Sequence, residues 1–175
     1  MTILGIDPGT ATTGYGVLRQ VEGPRRAVLV ECGVIRTLPR DPLAARLRAI
    51  YEGVAALIER HHPDVLAVED VFYARNVRTT VVLGHARGVI LLAGAQAGIG
   101  IHEFPPATIK KAVAGSGGAT KEQVQFMLTR LLRLKSAPHP SDAADGVAAA
   151  LTYCLEGPPI RLAAVRLPSP SMARA

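Results

Sequence analysis

Apolar residues form short runs in some parts of the chain and recur at helical spacing in others. Short, mainly apolar runs bounded by turn-forming residues are typical of strands buried in a sheet. The pattern predicts strands at residues 2–6, 14–19, 27–35, 65–69 and 99–104. Gly9, Gly14 and Gly16 lie in or beside the first two runs, and we expect them to mark tight turns.

Longer segments, with apolar residues every three or four positions, separate and follow these runs. They predict helices at residues 43–60, 76–98, 105–113, 121–132 and 141–155. Asp41, followed by proline, is typical of a helix N-cap, and Thr120 with Gln123 predicts a capping box. His61 and His62 end the first helix, where we expect solvated side chains rather than metal ligands.

The order of these elements predicts an α/β fold with a five-stranded mixed sheet flanked by helices. Short connections between the first three strands favour an antiparallel meander, and helical crossovers to the last two favour parallel pairing. The segment 76–98 is apolar on almost every side, so we expect a deeply buried helix or a subunit interface. We interpret residues 1–157 as one domain and residues 158–175, rich in Pro, Ser and Arg, as a disordered basic tail.

Composition narrows the class of protein. Of the 175 residues, 49% are hydrophobic and 19% are charged, the formal net charge is +6 and the pI is near 9.8. A strongly basic globular chain favours a polyanionic partner, with nucleic acid first. The two cysteines are too few for a disulfide framework or a zinc site. With no signal-peptide pattern and no apolar stretch long enough to span a bilayer, we expect a soluble, cytoplasmic protein with no membrane partner.

Four acidic residues occupy positions from which they can meet. Asp7 and Glu69 each end a predicted strand, and Asp142 and Asp145 are three apart in a predicted helix, so they share one face. If the first and fourth strands are parallel neighbours, all four carboxylates converge, and their mutual repulsion requires a cation. Hard divalent ions such as Mg²⁺ or Mn²⁺ take oxygen ligands. The pattern therefore indicates metal-dependent hydrolysis of a phosphodiester.

Five short segments carry a resemblance to a known family. In chain order they are GIDPGT at 5–10, TGYG at 13–16, AVEDVF at 67–72, LGHARG at 83–88 and DAADG at 142–146. With these segments in register, residues 1 to about 157 resemble the RuvC Holliday-junction resolvases. Asp70 departs from the family pattern by adding an acid directly after Glu69. In a strand its side chain points to the opposite face, so we do not expect it to be a ligand.

The resemblance implies a ribonuclease-H-like fold acting as a homodimer. It implies a magnesium-dependent endonuclease that makes paired nicks in a four-way DNA junction, in recombination and repair, leaving 5′-phosphate and 3′-hydroxyl ends. The implied partners are the branch-migration proteins RuvA and RuvB. Two Mg²⁺ ions about 3.5–4 Å apart are expected, with Mn²⁺ as a substitute. Lys121 is expected to stabilise the charge of the phosphate in the transition state. The implied metal ligands and catalytic acids are Asp7, Glu69, Asp142 and Asp145.

Aromatic, basic and amide side chains are expected to contact the junction. Phe72 falls where the family has an aromatic residue against the junction bases, although a packed loop anchor is the alternative for it and for Tyr73. The arginines that follow fit a path along phosphates, and a solvated helix face has the same pattern. His139, before the last helix, is interpreted as a loop residue. The predicted nucleic-acid contacts are Phe72, Tyr73, Arg75, Asn76, Arg78, Arg87, Lys110, Lys111 and Lys121.

The residues alone leave three other functions open. GIDPGT also resembles the phosphate loop of the actin and sugar-kinase folds, but that architecture needs two such domains and this chain supplies one. A junction-binding module without activity has no need of four carboxylates that weaken DNA binding when no metal is present. An enzyme that cuts RNA or RNA–DNA hybrids would use the same acids, and Phe72 with the arginines after it favours branched DNA.

Overall fold

A mixed sheet lies at the centre of the computed structural model, which describes residues 1–21, 26–70 and 77–157. Its strands are β1 (Thr2–Asp7), β2 (Thr12–Gln20), β3 (Ala27–Arg36), β4 (Val65–Glu69) and β5 (Gly100–Phe104). They lie in the order β3-β2-β1-β4-β5. The pairs β1–β2 and β2–β3 are antiparallel, whereas β1–β4 and β4–β5 are parallel. The predicted meander and the two parallel strands are confirmed.

The helices of the described residues follow the predicted order. They are α1 (Leu43–His61), α2 (Val77–Gln96), α3 (Pro106–Ala114), α4 (Lys121–Leu131) and α5 (Ser141–Glu156). The predicted capping box starts α4, since the Gln123 N–H donates to Thr120 Oγ1 at 3.3 Å and the Thr120 N–H donates to Gln123 Oε1 at 2.8 Å. Among these helices none is both long and apolar enough to cross a membrane. The predicted tail, 158–175, lies outside the described residues.

Alternate residues of each strand point to opposite faces of the sheet, and each face carries its own core. On one face, Ile3, Val65 and Phe104 pack with residues of α3, α4 and α5. On the other face, Leu4 and Leu66 pack with residues of α1 and α2. The odd-numbered residues of β1 and β4, including the last residue of each strand, therefore belong to the α5 face.

Helix α5 packs directly on the backbone of β1 and β2, because glycines remove the side chains that would separate them. A Cβ at Gly14 would lie 1.8 Å from the main-chain oxygen of Asp142, and one at Gly16 would lie 2.4 Å from Cγ2 of Val147. On the helix side, a Cβ at Gly146 would lie 2.5 Å from a Cα atom of β2. The prediction that Gly14 and Gly16 mark tight turns is wrong. Both lie inside β2, where they allow the helix to approach.

Both ends of α1 differ from the prediction. The helix begins at Leu43 after a proline, and no side chain caps it, so the predicted cap at Asp41 is wrong. The Asp41 N–H instead donates to the Leu38 carbonyl oxygen at 3.0 Å in a preceding turn. At the other end the His61 side chain is only 12% exposed, with Nε2 2.8 Å from Glu31 Oε2 on β3. The prediction of a solvated His61 is therefore wrong, because a carboxylate from a strand far away in the sequence replaces water beside the ring.

Candidate active site

The carboxyl ends of β1 and β4 bring two acidic residues together. Ile6 pairs with Val68 in the parallel register, so Asp7 and Glu69, one residue further on, lie side by side. Both belong to the alternating set whose side chains face α5. The predicted juxtaposition is confirmed, and its cause is the direct parallel pairing of the two strands.

Helix α5 adds two further acids over the same strand ends. Asp142 lies in its first turn, with Asp145 three residues later. The glycine contacts of β2 and α5 hold this end of the helix against the sheet. The charge of Asp145 acts on both Asp7 and Glu69, and that of Asp142 acts on Asp7. The four predicted acids thus interact with one another at one edge of the sheet.

A cavity of about 310 Å³ opens between these strand ends and helices α3, α4 and α5. Its polar lining comes from three acids and two lysines: Asp7, Glu69, Asp145, Lys110 and Lys121. Its remaining walls, which the sequence analysis did not identify, are Pro106, Ile109, Val124 and Ala148. Only the packing of α3, α4 and α5 around one cavity makes them walls of a site, and no local pattern in the sequence shows that packing.

Lys121 reaches across this pocket to α5. Its Nζ lies 2.6 Å from Asp145 Oδ2 and 3.9 Å from Asp142 Oδ1. Lys121 is the first residue of α4, so the capping box before it determines where the side chain leaves the helix. The charge of Lys110, on α3, also acts on Glu69, as that of Lys121 does. If all four carboxylates were ionised, two lysines would leave an excess of negative charge.

Burial and crowding both oppose ionisation of the acids. Burial first, and then the charges of Glu69, Asp145 and Asp142, raise the pKa of Asp7 to about 8. Burial first, and then the charge of Asp145, raise the pKa of Glu69 to about 7. Burial also raises the pKa of Asp145, although its hydrogen bond from Lys121 opposes the shift. Without further positive charge, the pocket retains protons near neutral pH.

The pocket has the donor chemistry of a divalent metal site. Carboxylate oxygens are the ligands that Mg²⁺ and Mn²⁺ prefer, and a cation would favour the ionised form of Asp7, whose pKa is raised by burial and by the neighbouring acids. In the parts of the chain that the structure describes, no three His, Cys, Asp or Glu side chains stand in the arrangement of a formed metal site. The ammonium of Lys121 acts as the counterion of Asp145 in this arrangement. By donor type and charge, the residues fit a divalent cation.

Of the residues predicted to contact DNA that the structure describes, two line the pocket and three lie outside it. Lys110 and Lys121 line it, whereas Lys111, next on α3, is exposed. Arg78 lies exposed in the first turn of α2, and His139 is exposed shortly before α5. Four of the predicted contacts lie outside the described residues: Phe72, Tyr73, Arg75 and Asn76.

An ion cluster behind the pocket was missed by the sequence analysis. Arg87, on α2, lies with Nε 3.5 Å from Asp70 Oδ1, and its Nη2 contacts Glu103 Oε1 on β5. Asp70 therefore lies on the α2 face, away from the pocket, as its position after Glu69 predicts. The available signal was strand alternation, which places Glu103 on that same face.

Known proteins resemble this chain over most of its length. The family model for "Crossover junction endodeoxyribonuclease RuvC" matches residues 3–153. A crossover junction endodeoxyribonuclease RuvC of Pelotomaculum thermopropionicum is 47% identical over 153 residues, which cover 87% of this chain and 92% of that protein. The one from Chloroflexus aggregans is 47% identical over 161 residues, covering 92% of this chain and 97% of that protein.

Solved structures resemble it in three dimensions. Thermus thermophilus RuvC in complex with Holliday junction substrate has a TM-score of 0.83 and 37% identity, covering 89% of this chain and 93% of that chain. The yeast mitochondrial Holliday junction resolvase Ydc2 has a TM-score of 0.62 and 14% identity, covering 87% of this chain and 78% of that one. At that low identity the second likeness concerns the fold alone.

Proposed function

Because the chain belongs to the RuvC family of crossover junction endodeoxyribonucleases and is a Holliday junction resolvase, we propose that the acidic pocket beside β1 and β4 is where it cuts DNA. One observation carries this proposal. Asp7, Glu69 and Asp145 converge in a pocket that two lysines also line, and their charges oppose one another there. The proposed catalytic acids are these three and Asp142.

The same carboxylates are proposed to hold the metal. Asp7 comes from the central strand and is influenced by the other three acids, so it is the residue best suited to be shared by two ions. Glu69 would complete one side and Asp142 with Asp145 the other. A Mg²⁺ ion held there would supply a water of lowered pKa and positive charge for the leaving oxygen, and Mn²⁺ shares its preference for oxygen ligands.

The two pocket lysines are proposed to act on the phosphate. Lys121 already carries a proton, because its hydrogen bond to Asp145 and the nearby acids outweigh burial and raise its pKa. When a phosphate enters, Lys121 would donate to its oxygens and stabilise the charge that develops in the transition state. Lys110 would supply a second positive charge from α3. The expected products are a 5′-phosphate and a 3′-hydroxyl end.

Resolution needs two cuts, and we propose that two copies of this chain make them as a homodimer. A four-way junction opened flat has near-two-fold symmetry, so a two-fold dimer places one pocket on each of two opposed strands. Helix α2 offers an apolar surface for such an interface, since Val77, Val81 and Leu92 are 78%, 53% and 49% exposed. This agrees with the apolar pattern of that segment.

Contacts outside the pocket stay predictions. Arg78 and Lys111 are exposed, and we propose that they follow the phosphates of the junction arms. Base contact by Phe72 is proposed from family membership. Partnership with the branch-migration proteins RuvA and RuvB is likewise proposed from family membership alone.

Cleavage of a synthetic four-way junction tests this function. We expect paired nicks that require Mg²⁺ or Mn²⁺, disappear in EDTA, and are absent from a linear duplex of the same sequence. Resealing of the nicks by a ligase would verify the 5′-phosphate and 3′-hydroxyl ends. Equal cutting of an RNA–DNA hybrid would contradict the assigned substrate, and cutting in EDTA would contradict the metal site.

A further inference from the structure

An arginine on the far side of the sheet connects the ends of the two strands beside the pocket. Arg87 contacts Asp70, with Nε 3.5 Å from Oδ1, and Glu103, through Nη2 and Oε1. Asp70 follows the last residue of β4, and Glu103 lies in β5. The strands are also joined at this point through the main chain, since Glu69 pairs with Phe104 and the Asp70 N–H donates to the Phe104 carbonyl oxygen at 2.9 Å.

The cluster differs from a solvated surface ion pair. The side chains of Arg87 and Glu103 are 27% and 23% exposed, and that of Asp70 is 40% exposed. Arg87 Nε and Glu103 Oε1 are shielded from solvent, and neither is aligned for a hydrogen bond, so charge attraction holds them. Removing Arg87 would leave the shielded Glu103 without its partner, which is far more disruptive than breaking a wet surface pair, whereas removing the Asp70 charge leaves Arg87 paired with Glu103.

We propose that Arg87 is a positioning residue for Glu69, acting through Asp70. Consecutive strand residues point to opposite faces, so a contact that holds Asp70 toward α2 limits the direction of the Glu69 side chain toward the pocket. Arg87 also offsets part of the negative charge of Asp70 and Glu103 directly behind an edge where the pocket acids already repel. This inference rests on the proposed role of Glu69 and extends it to a residue outside the pocket.

The earlier expectation for Arg87 was a contact with DNA phosphates, and the two roles give opposite results at Asp70. If Arg87 positions Glu69, removing the Asp70 charge slows cleavage and leaves junction binding unchanged. If Arg87 contacts DNA, removing that charge leaves the guanidinium with one carboxylate fewer beside it and strengthens binding.

Asp70→Asn is therefore the deciding variant. We expect its single-turnover cleavage rate, at saturating Mg²⁺ and enzyme, to fall about 10- to 100-fold, as when a residue supporting a metal ligand is changed. Its Kd for the junction, measured in EDTA, should stay within about 2-fold of the wild-type value. Arg87→Gln should likewise have a reduced cleavage rate and an unchanged Kd. Arg87→Lys should recover part of the rate, because lysine keeps the charge but lacks the two-armed fork.

The double variant tests whether Arg87 acts through Asp70. Asp70→Asn combined with Arg87→Gln should be no slower than Arg87→Gln alone, because both changes break the same contact. A matched control is Arg60→Gln, which removes another helix-to-strand ion pair, 3.2 Å long, from Glu31 on β3. It should cleave at the wild-type rate, and thermal unfolding should show that each variant is folded.

The outcomes separate this inference from the proposed function. Glu69→Gln, measured in the same series, should be inactive, and normal cleavage by it would remove the proposed active site. An inactive Glu69→Gln together with unchanged cleavage by Asp70→Asn would overturn only the role of Arg87. If Asp70→Asn bound the junction more tightly and cleaved at the normal rate, the result would support a DNA-contacting role for Arg87 instead. Failure of Arg87→Gln to fold leaves the decision with Asp70→Asn.

Discussion

Two carboxylates in the same sheet differ in the charge of their neighbours. One has hydrogen-bond donors and basic side chains around it, and the other lies among further acids. Glu31, on β3, accepts a hydrogen bond from Tyr15 at 2.8 Å and pairs with Arg60 at 3.2 Å and His61 at 2.8 Å. Burial acts to raise its pKa, but these partners outweigh burial and lower it. Asp7, two strands away, shares its surroundings with three other carboxylates, and burial with their charges raises its pKa to about 8.

The difference separates a structural carboxylate from a chemically active one. The fold supplies Glu31 with donors and positive charge, so its ionised form stabilises the native state. Asp7 lacks sufficient positive charge, so its ionised form destabilises the native state unless a cation binds. The local deficit of positive charge, rather than the presence of acids, marks the functional edge of the sheet.

The largest effect is expected from Asp7→Asn. Asparagine keeps the shape of the side chain but loses its charge, so it should abolish metal-dependent cutting, with a loss of at least about 10³-fold in the single-turnover rate. Junction binding, measured by gel shift in EDTA near neutral pH, should remain unchanged, because Asp7 without metal is already largely protonated there. Glu31→Gln is the matched control and should cut normally. Parallel loss of binding and cutting would argue against a metal-ligand role for Asp7.

Lys121→Ala is expected to have the next largest effect. Loss of the proposed phosphate-stabilising charge should reduce the cleavage rate by about 10²- to 10³-fold. Lys111→Ala is its control, because Lys111 is exposed on α3 and does not line the pocket. It should weaken junction binding modestly and leave the saturated rate unchanged. If Lys121→Ala changed only the Kd, Lys121 would be a binding residue rather than a catalytic one.

Local patterns were sufficient to predict the elements and much of the acidic site. A strand end is a local property, so Asp7 and Glu69 could be assigned to strand termini from the apolar runs that precede them. Their adjacency followed from the expected parallel pairing of those two strands, and the register bears it out. The spacing of Asp142 and Asp145 predicted that both lie on one helix face. The resemblance to the family predicted that this face joins Asp7 and Glu69 in one site.

Features that depend on distant residues could not be predicted in this way. Glycine beside or within a strand can mark a turn, a bulge or the close approach of another backbone, and only the position of α5 shows that Gly14 and Gly16 serve close packing. His61 and Glu31 are 30 residues apart, so no local pattern connects them. The cluster of Arg87 with its two carboxylates likewise depends on how α2 lies across the strand ends.

A smaller effect concerns stability in the absence of metal. The pKa of Asp7 is about 8 in the folded chain against an ordinary value of 3.8. The stability linked to its bound proton is thus fully present below about pH 4 and is lost as the pH rises through about 8. Asp7→Asn undergoes no such loss. In EDTA at pH 8 it should be more stable than the wild type by roughly 1–3 kcal/mol.

Calorimetric unfolding across a pH series checks this prediction. The advantage of Asp7→Asn should grow between about pH 4 and pH 8 and should shrink on addition of Mg²⁺, which binds the wild type better. A difference independent of pH would indicate a packing effect of the amide instead of relief from charge crowding.

The smallest expected effect is at Glu31 and has the opposite sign. Its pKa in the folded chain is below the ordinary 4.5, so its contribution to stability is present above that value and is lost as the pH falls through the folded pKa. Glu31→Gln keeps an acceptor for Tyr15 but removes the charge that pairs with Arg60 and His61. It should cost about 1 kcal/mol at pH 7, with the difference disappearing toward acid pH, and should leave junction cleavage unchanged. In EDTA, the stability difference from the wild type should change with pH in opposite directions for Glu31→Gln and Asp7→Asn. That result would establish that the two carboxylates have different electrostatic surroundings, whereas changes in the same direction would contradict it.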